Sequence, residues 1–421
     1  MRAKLLILAS AIGSLGWGAV LPYQYAYAAE TRGWGALVAA AAASLFSLGA
    51  LFASPVAGRL ADRFNPVLVA VLAQLVGAVA VGSLMFVQEP ATFLLGMLVF
   101  GLGLSGAVPA KQVLALEWSS SADRRKVFAY KFTGESLGMA AGAFLAGLVV
   151  DLGRADGLTV GFLMAAGGFV ISSAIIALAG GLGRGAAPVL DGVASTTDQA
   201  LDDGGRRRGA LRLIFADPAM RWTAVVTIAL ALGFYAQFES GLPAYALTVL
   251  NAEPSVIGTA AAVNCLVIVA LQLVVVKLTA KRPAATLLMA VGSVWLVSWL
   301  LLSVAQFMPG IASALFVMTY GIFAVGETVY SPVLNPLTAS LAPAGMVGQT
   351  LGVVAALQTA FSAAGPLIAG VLLGAGLGDA FLIMHLVISV VAIFAAWRIR
   401  QVLAARARAG IPVRSDEALA A

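Results

Sequence analysis

The sequence predicts an all-α membrane protein with twelve transmembrane helices, built as two pseudo-symmetric six-helix bundles. Three observations carry this. Of 421 residues, 61% are hydrophobic and 10% charged, and the mean hydropathy is +0.99; a soluble domain is about a quarter charged. Apolar stretches near the roughly 20 residues that a bilayer span requires recur along the chain. Marks in the first half also return in the second at nearly constant spacing.

In order, the apolar stretches run at 5–28, 34–57, 66–88, 91–116, 127–150, 157–181, 219–249, 255–279, 284–306, 310–339, 345–374 and 379–399. Helices are the open-chain element that satisfies its own backbone in lipid, so each is read as a helix. The first imitates a signal peptide, with Arg2 and Lys4 before an apolar run that ends at Ala26-Tyr27-Ala28. That run exceeds a usual h-region and contains Pro22, and cleavage would leave eleven spans, so it is read as a span. Between the sixth and seventh stretches, residues 182–218 form a polar cytoplasmic linker. Leu211, Leu213, Ile214 and Phe215 in it suggest an interfacial helix. Asp217-Pro218 then has the N-cap and N1 chemistry that starts the next helix. The expected organisation is a bundle over 1–181, the linker, a bundle over 219–400 and a cytoplasmic tail over 401–421.

Basic residues orient the chain. Placing the N-terminus inside puts 21 of the 25 Lys and Arg on the inner side, leaves Arg32 and Arg154 outside, and sets Lys111 and Lys131 within helices. This is a positive-inside pattern with both termini cytoplasmic. It accounts for the net charge of +6 through the lipid bilayer, with no nucleic-acid partner. Arg outnumbers Lys 19 to 6 and Ala and Gly abound, which points to a GC-rich bacterial genome and hence to a bacterial inner membrane.

The repeat is visible residue by residue. Gly35 falls on Gly258, Arg59 on Arg282, Pro109 on Pro332, Gly142 on Gly365 and Gly147 on Gly370, all at an offset of 223. Leu21-Pro22 and Leu242-Pro243 match at 221. Repeated halves mark secondary transporters, which bind substrate near mid-membrane.

Several chemistries are excluded. One cysteine, Cys265, and one histidine, His385, leave no disulfide and no metal site. No P-loop is present. No cofactor and no catalytic residue is therefore expected, and an ion gradient is the expected energy source. Cys265 reads as a small apolar residue and His385 as a packed polar one.

Gly58-Arg59-Leu60-Ala61-Asp62-Arg63, in the turn after the second stretch, resembles the G-x-L-a-D-R signature of the major facilitator superfamily. The family's basic continuation is replaced by Phe64-Asn65-Pro66. Pro109 to Arg125 looks like that family's span-four exit and basic loop. Gly138-x-x-x-Gly142-Ala143-x-x-Ala146-Gly147 resembles the span-five antiporter motif, with Ala143 in place of its Pro and Ala146 in place of a Gly. The arginine that drug exporters often carry in span four aligns with Met97. A monomer is the expected state. The resemblance implies the major facilitator fold and places the chain nearest the drug:proton antiporters. It also implies that the turn carrying Gly58, Arg59, Asp62 and Arg63 gates the cytoplasmic side. There Asp62 accepts from helix N-terminal amides, and Arg59 and Arg63 pair with acids.

Charges inside the membrane are costly and therefore informative. Glu327 is near the middle of the tenth stretch, and Tyr320, Phe323, Glu327 and Tyr330, spaced 0, 3, 7 and 10, share one helix face. An acid among aromatics suits an amphipathic organic cation, and a carboxylate there can exchange a proton for it. Glu239 follows the aromatic run Phe234-Tyr235-Ala236-Gln237-Phe238 and precedes Gly241-Leu242-Pro243; Tyr235 shares its face, while Phe234, Phe238 and Tyr245 share another. Glu135, beside the antiporter-like glycines, is a third candidate proton site, although Lys131 one turn before it can neutralise it. Lys111 can reach Glu117 or Glu135. In the first stretch Trp17, Tyr23, Gln24 and Tyr27 fit one arc, with Tyr25 and Tyr27 also suited to an aromatic belt at the outer interface.

The resulting expectation is proton-coupled export of amphipathic, cationic small molecules. Glu327, Glu239 and Glu135 carry protons, and Trp17, Tyr23, Gln24, Tyr235, Phe238, Tyr320, Phe323 and Tyr330 bind substrate. The alternative is a carrier of an anionic or neutral metabolite or lipid that uses Lys111 and Lys131. A membrane-embedded enzyme is the remote alternative.

Overall fold

The computed structural model describes residues 1–21, 23–24, 27–151, 153–154, 156–181 and 206–409. Pro22, Tyr25 and Ala26, most of the 182–218 linker and the tail beyond residue 409 lie outside this set, as does the side chain of Glu239. Among the described residues all regular structure is helical.

The helices are α1 (Arg2–Gly18), α2 (Gly35–Arg63), α3 (Pro66–Ser83), α4 (Pro90–Glu117), α5 (Arg124–Gly147), α6 (Thr159–Gly180) and a short α7 (Arg206–Ile214). They continue with α8 (Pro218–Leu230), α9 (Leu242–Thr248), α10 (Pro254–Thr279), α11 (Ala284–Ala305), α12 (Ala312–Leu341), α13 (Val347–Gly374) and α14 (Gly378–Arg408). Their starts follow local chemistry. The Asn65 side chain accepts from Val67 N at 2.9 Å ahead of Pro66 at N1. Asp217 does the same with Ala219 N at 2.8 Å ahead of Pro218, and Arg406 pairs with that carboxylate.

Among the described residues nine helices are long and apolar enough to cross a membrane. The other three expected stretches are helical but fall short. The 17-residue α1 ends at Gly18 rather than near residue 28, and the chain then turns before a π-helical segment, Tyr27–Thr31. In α5 there are five charges, Arg124, Arg125, Lys126, Lys131 and Glu135. In α10 the apolar run is Val256–Gln272. Between α8 and α9 the backbone widens into two π-helical segments, Ala231–Tyr235 and Gln237–Gly241.

The chain forms two units: residues 1–200 with 343–356, and residues 201–342 with 357–421. In the first, α4 packs on α2 and α3, and α6 on α1 and α3. The second repeats this pattern internally, with α12 on α10 and α11, and α14 on α8 and α11. The repeat reaches individual glycines. In the first unit α5 lies so close to α1 that a Cβ on Gly142 would run into the Leu15 carbonyl; in the second, a Cβ on Gly365 of α13 would run into Ala236. Small residues permit such backbone approach, which supplies dispersion energy where lipid gives no hydrophobic drive between helices. One buried polar pair lies within the first unit, where Gln74 Nε2 donates to Ser172 Oγ at 3.0 Å and that hydroxyl donates to the Ala9 carbonyl at 2.7 Å.

Candidate functional site

The acid–aromatic face of α12 faces inward in the second unit. Glu327, Tyr320, Phe323 and Tyr330 are all buried. The Glu327 Oε2 accepts from Asn264 Nδ2 of α10 at 3.0 Å, and the same amide reaches the Tyr320 carbonyl at 3.3 Å. Among the described residues no cation pairs with Glu327. Cys265 follows Asn264 on α10 and is half-buried.

Aromatic rings wall this carboxylate. Tyr235 lies 5.7 Å from Tyr330, Phe238 4.9 Å from Tyr320, and Phe234 4.9 Å from Phe323, centroid to centroid. Trp295 of α11 stacks on Phe234 at 4.7 Å and donates to the Phe323 carbonyl at 3.0 Å. The Tyr320 hydroxyl donates to the Phe238 carbonyl at 2.9 Å, and Trp299 Nε1 donates to the Gly233 carbonyl at 3.1 Å. Two of these acceptors, Gly233 and Phe238, belong to the π-helical segments. Each π turn inserts extra backbone and re-aims the side chains that follow. That is why Tyr245, expected on the Phe234–Phe238 face, instead stacks on Phe381 at 5.9 Å. The Tyr330 hydroxyl is buried without a hydrogen-bond partner. His385 stacks on Trp299 at 4.1 Å, with Nδ1 2.6 Å from the Phe381 carbonyl, the packed polar role its position suggested.

In the first unit Lys131 Nζ donates to Glu135 Oε1 at 2.6 Å, so the pair is formed. Lys111 is buried on α4; it interacts electrostatically with Glu135 and Lys131. Glu117 is not among those charges, and its Oε1 is buried without a hydrogen-bond partner.

Beyond Gly18 helical hydrogen bonds continue, from Leu21 N to the Trp17 carbonyl, Gln24 N to the Val20 carbonyl and Tyr27 N to the Tyr23 carbonyl, and Trp17 and Tyr23 pack against the apolar cluster that contains Tyr27. Trp17 stacks on Phe46 at 4.7 Å, whereas the Tyr23 hydroxyl donates to the Ala143 carbonyl at 2.8 Å. Gln24 keeps a buried, unpartnered Oε1. Tyr27 is buried rather than at an interface, and Arg32 donates to its hydroxyl at 3.0 Å.

The turn between α2 and α3 also belongs to the first unit. Asp62 Oδ1 accepts from Gly348 N at 2.5 Å and Oδ2 from Gln349 N at 2.6 Å, so one carboxylate caps the start of α13. Gly58 makes room, because a Cβ there would meet the Gly348 carbonyl. Arg59 and Arg63 are exposed. Among the described residues neither forms the ion pair expected of it; Arg63 rests over the Phe64 ring at 6.0 Å.

The chain matches the Major Facilitator Superfamily across residues 6–366. It belongs to that superfamily. It is accordingly a multi-pass membrane transporter and not an enzyme. Among solved structures, this superfamily member is similar to the human organic anion transporter MFSD10 (TETRAN), with 15% identity, a TM-score of 0.67, and coverage of 94% of this chain and 98% of that one. It is likewise similar to a bacterial homologue of the iron transporter ferroportin in its outward-facing state, with 16% identity, a TM-score of 0.67, and coverage of 96% and 100%. At these identities the likeness is one of fold. A sequence comparison with curated proteins gives no match.

The sequence reading missed Asn264, Trp295 and Trp299. A signal existed for the first: Asn264 and Gln272 are the two amides in the otherwise apolar body of α10, and a buried amide needs a partner. Gln272 finds the Thr328 carbonyl, 3.3 Å away, one residue beyond Glu327.

Proposed function

We propose that this transporter is a twelve-span drug:proton antiporter of a bacterial inner membrane, exporting amphipathic cationic small molecules by alternating access. The observation that carries this reading is the buried Glu327 carboxylate, held by an amide donor, walled by aromatic rings and without a cation partner among the described residues. Such a site takes either a proton or an organic cation, through charge attraction and ring stacking. Exchange of one for the other couples export to the proton gradient, with no cofactor. The pair Lys131–Glu135 is already neutralised, which favours Glu327 over Glu135 as the coupling acid; Glu239 is the second candidate. In this reading the chain works as a monomer with both termini cytoplasmic. Its bundles span 1–181 and 219–400, flanked by the linker at 182–218 and the tail at 401–421. Asp62 latches the gate through α13.

A second reading, transport of an anionic substrate, is favoured by the buried Lys111 and by the organic anions named for one structural neighbour. Proton-driven uptake into inverted vesicles decides between them. Accumulation of a cationic dye supports the first, accumulation of an organic anion alone supports the second, and a dye flux indifferent to the proton gradient sinks the antiport assignment.

A further inference from the structure

One end of the second unit carries a dense positive surface that the Glu327 reading leaves unused. Residues 206–222 hold five arginines and residues 398–408 hold four, against one carboxylate, Asp217. Two contacts bring these segments together. Arg406 near the end of α14 pairs with Asp217 at the start of α8. One layer further in, Arg398 lies over the Trp222 ring, 5.5 Å from its centroid, and Trp222 meets Phe394 edge-on at 5.7 Å. Helix α7 ends at Ile214, three residues before Asp217, so it joins the same end.

This end stands where the apolar body of the unit stops. In α14 residues 380–397 contain no Asp, Glu, Lys or Arg, a run of about 27 Å that nearly fills a hydrocarbon core of about 30 Å. The arginines begin at the next residue. Trp397, half in solvent, has the place of an interfacial aromatic. On α7 the fully buried Ile214 fastens the helix to the bundle, while Leu211 and Leu213 stay 46% and 59% exposed beside the exposed Arg212. Exposed leucines next to arginine suit the boundary between acyl chains and headgroups.

Asp217 is spent on Arg406. Among the described residues Arg212, Arg221 and Arg400 are exposed and pair with no carboxylate. Like charges this dense repel one another, and an anion between them offsets the repulsion. Guanidinium groups bind phosphate oxygens through two parallel N–H donors.

We propose that α7, the start of α8 and the arginine-bearing end of α14 form a docking surface for anionic phospholipid headgroups. The arginines hold the lipid phosphates, and Leu211 and Leu213 enter the acyl layer below them. The bound lipid fastens the start of the second bundle to the membrane surface.

The test is calorimetric titration of the purified full-length protein in detergent with dihexanoyl phosphatidylglycerol, dihexanoyl phosphatidylcholine and inorganic phosphate. Phosphatidylglycerol should bind at least about tenfold more tightly than either of the others, and added salt should weaken it. Arg212→Gln and Arg400→Gln should each cost about fivefold in affinity and together about thirtyfold. Leu213→Ser should also weaken binding, whereas Arg154→Gln, at an exposed arginine of the first unit, should leave it unchanged. Phosphatidylcholine binding as tightly as phosphatidylglycerol removes the charge selectivity and overturns the proposal. Inorganic phosphate binding as tightly points to a free-anion site and overturns the lipid assignment. Wild-type affinity in the folded double arginine variant, or an equal loss in Arg154→Gln, places the lipid elsewhere. Glu327 is intact in every arm, so the result does not depend on the cation reading.

Discussion

Asn264 Nδ2 donates to Glu327 Oε2 across 3.0 Å, joining α10 to α12 inside the second unit. The bond matters because an amide N–H donates and never accepts, so it favours the carboxylate form that a cationic substrate needs. A hydrogen bond to a charged group contributes about 1.5–3 kcal/mol. Asn264→Leu should therefore weaken binding of a cationic dye by roughly tenfold to a hundredfold. Fluorescence titration at fixed pH measures this, and dye affinity equal to wild type would remove Asn264 from the site.

The glycine pair tests the repeat. Gly142→Val should push α5 off α1, and Gly365→Val should displace Ala236 from α13. Overpacking of this kind costs about 1–3 kcal/mol, more where backbone is the obstacle. Thermal unfolding in detergent should show both variants destabilised by similar amounts. A change at Gly370, where an added Cβ meets nothing, should leave the midpoint unaltered.

Much of the fold could be read from the chain, and the reasons are specific. Apolar runs located the helices, and Asn65-Pro66 and Asp217-Pro218 fixed two starts because an N-cap acceptor before proline is a local instruction. The end of α1 at Gly18 and the π-helical segments after Leu230 could not be read, because a 3.6-residue wheel continues through any apolar run. The acid at Glu327 stood out as a charge in lipid, but its partner did not. Which residue of α10 faces which residue of α12 depends on packing between helices far apart in sequence. The grouping of residues 343–356 with the first unit is likewise a tertiary fact. The carboxylate of Asp62 advertised an acceptor without naming Gly348 and Gln349.

That cap gives the third prediction. Asp62→Ala leaves the Gly348 and Gln349 amides without their acceptor, at a cost of about 1–2 kcal/mol for a lost N-cap. Hydrogen exchange at those two amides should accelerate about tenfold, by the same arithmetic. Asp62→Asn retains an acceptor oxygen but loses its charge at the helix's positive end, so its exchange rates should fall between wild type and Asp62→Ala. Unaltered exchange in Asp62→Ala would show that the start of α13 is held by something else.

The coupling assignment rests on Glu327, and one isosteric change separates its two roles. If proton and substrate cation compete for this carboxylate, it must be protonated in one part of the cycle and free in another. Glu327→Gln keeps the shape and the hydrogen-bonding capacity toward Asn264 and opens no cavity, but it can neither bind a proton nor balance a cation. Proton-driven export of a cationic dye should fall to background, and the pH dependence of dye binding should flatten. Neutral aromatic compounds should still bind, since Tyr320, Phe323 and Tyr330 remain in place. A purely structural glutamate predicts the reverse: a Gln makes similar hydrogen bonds, so transport would persist and only stability would shift. The decisive measurement is dye flux against its gradient in vesicles energised with a proton gradient, with folding checked by the unfolding midpoint. A Glu327→Gln protein that moves dye uphill at the wild-type rate would shift the coupling role to Glu239 and favour an anionic substrate.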